Sequence, residues 1–141
     1  MSVAEVLRQL LGGMQADQRS YTLLQTLLDE QLAAIAQQRS EELNRLAQRI
    51  GALVDELDTQ RKLRRLLVAR LLGREIDLSI AAVFERVPVA AARVLREAWL
   101  GLETAVRVCK TANARNCELI VEQHALMQRL MGAEQDTYAE L

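Results

Sequence analysis

The chain is poor in the residues that build sheets and catalytic sites. Aromatic residues make up 3% of its 141 positions, with one Trp, two Tyr and one Phe. There is one Pro, and there are six Gly. A β-sandwich or barrel needs strand formers and many turn breakers, so these figures exclude it. The single histidine, His124, has no His or Glu at metal-ligand spacing on its helix, and no Cys-x-x-Cys pair is present. Cys109 and Cys117 stand eight residues apart. On a helix that is roughly 12 Å along the axis, too far for a mutual disulfide, so both are expected as reduced thiols. No glycine-rich phosphate loop follows a strand, because no strand is read. No run approaches the length of apolar sequence that spans a membrane, and the N-terminus lacks the basic-then-apolar order of a signal peptide. Neither an enzyme nor a bound metal or cofactor is expected.

What is present is helix chemistry. Half the residues are hydrophobic, and Leu, Ala, Gln, Glu and Arg dominate. The net charge of -1 makes nucleic acid a poor partner. Charge is nevertheless segregated. Residues 39–73 carry eight basic and five acidic side chains, and residues 132–141 carry three acidic and no basic ones. The basic run Arg61, Lys62, Arg64, Arg65 and Arg70 follows Asp55, Glu56 and Asp58. It reads as a solvated helix face suited to the C-terminal dipole rather than as a phosphate patch.

Apolar residues recur at steps of three, four and seven from Leu7 through Leu10, Leu11, Met14, Tyr21, Leu24, Leu28, Leu32 and Ile35. That spacing predicts one long helix over 3–38, with Gly12-Gly13 as a weak or bent point. A restart near Ser40, which can cap, leads into a second helix over 40–72 closed by Gly73. A short helix over 78–86 stops before Pro88, which opens a fourth helix over 88–131. Gly132 is expected to end it, leaving a short acidic tail, 132–141. The expected fold is all-α: one domain, an elongated antiparallel bundle of three long helices plus one short helix.

The last helix carries more apolar surface than one packing face needs. On a helical wheel Leu119, Leu126 and Leu130 fall together and can face the bundle, while Ile120, Met127 and Met131 form a second row. Methionines recur on surfaces that accept a partner's helix. Asn113 prolongs the second row, and Asn116 and Gln123 prolong the Leu130 row, where polar groups can fix register. The alternative is that the whole arc is core.

These residues also carry a resemblance. The all-helical order, the stretch Gln60-Arg61-Lys62-Leu63-Arg64-Arg65-Leu66-Leu67, the segment Asn113-Ala114-Arg115-Asn116-Cys117-Glu118-Leu119-Ile120, and Leu130-Met131-Gly132 followed by Tyr138 resemble the FlgN family of flagellar export chaperones. Cys117 stands where the family usually has Gly, and Ala139 where it often has Gly. The resemblance implies a cytoplasmic, non-catalytic protein. Its partners would be the C-terminal amphipathic helices of the hook–filament junction proteins FlgK and FlgL, and the export gate protein FlhA. By position, Asn113, Asn116, Leu119, Ile120 and Gln123 fall in the client-helix segment, and Tyr138 falls at the gate contact. Met127, Leu130 and Met131 join the client site from the wheel rather than from the resemblance. The competing reading is a homo-oligomeric coiled-coil structural or adaptor protein, in which the same stripe pairs with a second copy.

Overall fold

In the computed structural model the backbone is described for residues 1–139 and the side chains for residues 1–132. Four helices follow one another: α1 (Val3–Ala36), α2 (Ser40–Leu72), α3 (Ile80–Arg86) and α4 (Val89–Ala139). No strand occurs among the described residues.

The ends follow local chemistry. Ser2 opens α1 with a capping box: its hydroxyl accepts from the Glu5 amide, and the Glu5 carboxylate accepts from the Ser2 amide. α1 closes two residues earlier than the periodicity suggests. Gln38 takes a left-handed φ of 56°, the Arg39 amide reaches the Ala34 carbonyl, and the Gln38 amide reaches Ile35. This is a Schellman turn with Gln where Gly is usual. Ser40 is already helical and does not cap; Arg39 precedes α2 without a side-chain cap. Gly73, at φ 66°, closes α2, and Arg86 of α3 donates to the Leu72 carbonyl at 2.7 Å. The Ser79 hydroxyl caps α3 by accepting from the Ala82 amide. The Gly12-Gly13 pair neither breaks nor ends α1.

α1 is the central helix, antiparallel to α2 on one flank and parallel to α4 on the other. Three side chains of α4 donate to main-chain carbonyls of α1, each at the same offset of 88 residues. Cys109 Sγ reaches Tyr21 O at 3.1 Å, Asn116 Nδ2 reaches Leu28 O at 2.7 Å, and Gln123 Nε2 reaches Ile35 O at 3.1 Å. Donors and acceptors both advance by seven residues, so the pair keeps a heptad seam with no slip. α2 and α4 lie apart: among the described residues, none of their Cα atoms come within 8 Å. Two apolar clusters fill the seams. One gathers Val6, Leu10, Met14, Leu67, Val68, Leu72, Val83, Leu95 and Leu102 where α3 closes the bundle. The other gathers Leu24, Leu27, Leu28, Leu46, Leu53, Leu57, Cys109 and Ala112 toward the α1–α2 turn. Each fully buried Leu or Met contributes about 1.5–3 kcal/mol.

A charged pair interrupts the first cluster. Asp17, 2% exposed, accepts from Arg64 Nη1 at 2.6 Å, and the Arg64 guanidinium lies over the Trp99 ring, 5.6 Å from its centroid. Asp17 lies three residues after Met14 on α1's apolar stripe, and Arg64 occupies a heptad position of α2. The pair therefore ties α1 to α2 at one register.

Candidate functional site

The offset of 88 sets where α4 loses its partner. It places Ala36, the last residue of α1, level with His124. Residues 125–139 thus run beyond the α1–α2 turn as about 22 Å of helix at 1.5 Å per residue. Gly132 does not stop the helix as expected. It keeps a negative φ, and good helix formers follow it (Ala133, Glu134 and Gln135).

The seam residues continue into this overhang with nothing to grip. Leu126 and Leu130 extend the row of Cys109, Ala112, Asn116, Leu119 and Gln123, yet both are 60% exposed. The expectation that they pack on the bundle is corrected: the wheel gave their angle rightly, but α1 ends before reaching them. Ile120 at 45%, Met127 at 49% and Met131 at 59% are open, so the arc is not all core. Val121, which the wheel reading left aside, is exposed as well. The result is one apolar ridge of Ile120, Leu126, Met127, Leu130 and Met131 along the free end of α4.

The polar residues of the segment divide sharply. Asn116 is fully buried, and its amide donates to both Leu28 O and Gln31 Oε1, at 2.7 and 2.9 Å. Gln123, partly buried, adds a donor to the last turn of α1. Both side-chain amide nitrogens donate to α1. They fix register. Asn113 is exposed beside Cys117, and Leu119 is half-buried. Arg115 pairs with Asp29 at 3.2 Å and steadies the same stretch. The side chain of Tyr138 lies outside the described residues.

Among the described residues, no group of three His, Cys, Asp or Glu could hold a metal. Cys109 is buried and Cys117 exposed, and both are free. Burial, with the nearby Asp29 charge, raises the Cys109 pKa, which keeps its thiol protonated to serve Tyr21 O. Burial, followed by Asp17, likewise raises Tyr21. His124 is exposed, with Nε2 3.2 Å from Gln128 Nε2. No helix among the described residues is long and apolar enough to cross a membrane.

The architecture defines a helical protein with a paired body and one helix end that carries exposed apolar residues, suited to protein–protein contact. The family model described as FlgN protein matches residues 1–136, nearly the whole chain. The chain belongs to the FlgN family, a family of flagellar export chaperones. No curated protein and no solved structure matches it significantly.

Proposed function

We propose that this chain is a cytoplasmic chaperone for FlgK and FlgL that binds their C-terminal amphipathic helices along the free end of α4 and carries them to FlhA. The observation that supports this reading is the uncovered continuation of the α4 seam through Leu126 and Leu130. Where α1 ends, a client helix can take over its place on α4. The flanking Ile120, Met127 and Met131 widen the contact, with Asn113 at its edge and Leu119 at its inner boundary. A client terminus that cannot bury its apolar face alone stays aggregation-prone until such a groove covers it. Its ordering cost keeps affinity moderate, which suits release at the gate. Asn116 and Gln123 serve indirectly, by holding α4 in register so that the ridge stands clear of the bundle. Tyr138, beyond the ridge, is the candidate gate contact.

Self-pairing of two α4 ends is the second reading, because the same open seam can accept a copy of itself. Light scattering with and without a FlgK or FlgL C-terminal peptide separates the two. A 1:1 complex that Ile120→Asp with Met127→Asp abolishes, at unchanged helicity, supports the chaperone. A stable dimer indifferent to peptide supports self-association. Tyr138→Ala is expected to spare peptide binding and reduce export; normal motility in that variant removes its gate role.

A further inference from the structure

The opposite half of the molecule holds a second surface with different chemistry. Because α2 and α4 do not pack backbone to backbone, a cleft of about 330 Å³ opens between them, bounded by the segment leading into α3. Its floor is apolar, made by Val68, Leu78, Ile80 and Trp99; Arg61 and Arg65, one turn apart on α2, form its rim. The rim carries surplus positive charge. Arg64 is matched by Asp17, but Arg61 and Lys62 share the single carboxylate of Asp58, at 2.9 and 3.2 Å. Arg65 has no ion-pair partner among the described residues. In a chain of net charge -1, this excess is local.

We propose that this cleft docks an acidic segment of a partner protein, which seats one bulky apolar side chain on Val68, Ile80 and Trp99 and lays carboxylates on Arg61 and Arg65. Charge complementarity and the apolar floor select this occupant together. A free phosphate has no use for the floor. A nucleobase would find one Trp99 face already taken by the Arg64 guanidinium. A flat lipid surface does not enter a recess. A continuous α4 holds Tyr138 about 58 Å from Trp99, away from the cleft. The site is also about 39 Å along α4 from the start of the overhang, so both surfaces can be occupied at once.

Trp99 is the sole tryptophan, so its emission reports occupancy of the cleft directly. Full-length protein is titrated with a short amidated peptide carrying one Phe among glutamates, with its glutamine counterpart, with inorganic phosphate, and with phosphatidylglycerol vesicles. The glutamate peptide is expected to give a saturable blue shift, and either the glutamine peptide or Arg61→Gln with Arg65→Gln to weaken it about tenfold or more. Both arginines are exposed, so that variant should melt at an unchanged temperature. Arg61→Glu with Arg65→Glu should instead accept a lysine version of the peptide. No saturable shift with the glutamate peptide, or equal response to the glutamate and glutamine peptides, overturns the proposal. So does the same shift from phosphate or vesicles alone. A shift that grows with protein concentration alone assigns the cleft to a second copy, and overturns it too.

Discussion

The two parts of α4 share a sequence pattern and differ in fate. Residues 89–124 run beside α1 and bury Leu95, Leu102, Cys109, Ala112 and Asn116. Residues 125–139 continue the same helix and the same apolar row, and leave Leu126 and Leu130 open. Burial along a seam is set by the height at which the partner helix ends, as well as by the angle of each residue. An isolated helix of the overhang's length is marginal in water, so its order depends on the body it extends and on whatever it binds.

Truncation on either side of the boundary sharpens the contrast most. Leu102→Ala should cost about 2–5 kcal/mol in urea unfolding. Leu130→Ala should change stability by less than about 0.5 kcal/mol while weakening client binding. A large stability loss at Leu130 would erase the distinction. Next comes the buried ion pair. Arg64→Ala strands Asp17 and should cost about 3 kcal/mol, whereas replacing both partners by apolar residues of similar volume should be close to neutral. Asn116→Ala removes the most buried rung of the α1–α4 ladder and should cost about 1–3 kcal/mol. If its main effect were on client affinity at full stability, Asn116 would be a contact rather than a register pin. The smallest effect lies at the boundary turn. Gln38→Gly relieves a left-handed residue and should stabilise the chain by about 0.5–1 kcal/mol in the same assay, with client binding unchanged.

The helix order was legible because its signals are local. Gly73 and Pro88 each mark an end through their own backbone chemistry. The end of α1 was less so, since a Gln in a left-handed turn gives no such mark. Gly132 misled for the converse reason: glycine permits a stop without requiring one. The wheel set Ile120, Met127 and Met131 apart as a second row, but it did not decide between an open face and core. The exposure of Leu126 and Leu130 could not be read from the wheel, because it depends on where α1 ends, at Ala36, far away in sequence. Asn116 and Gln123 were visible as seam polars, but their acceptors on α1 emerge only once the offset between the helices is known. Asp17 was missed, although a carboxylate on the apolar stripe of α1 and Arg64 on that of α2 were a matched signal.

Amide hydrogen exchange along α4, with and without a client C-terminal peptide, tests the central claim most directly. The account predicts slow exchange over residues 89–124 in both states, and fast exchange over 125–139 that slows when the peptide is added. An overhang already protected in the dilute free chain, or a peptide that protects only the body, would contradict it.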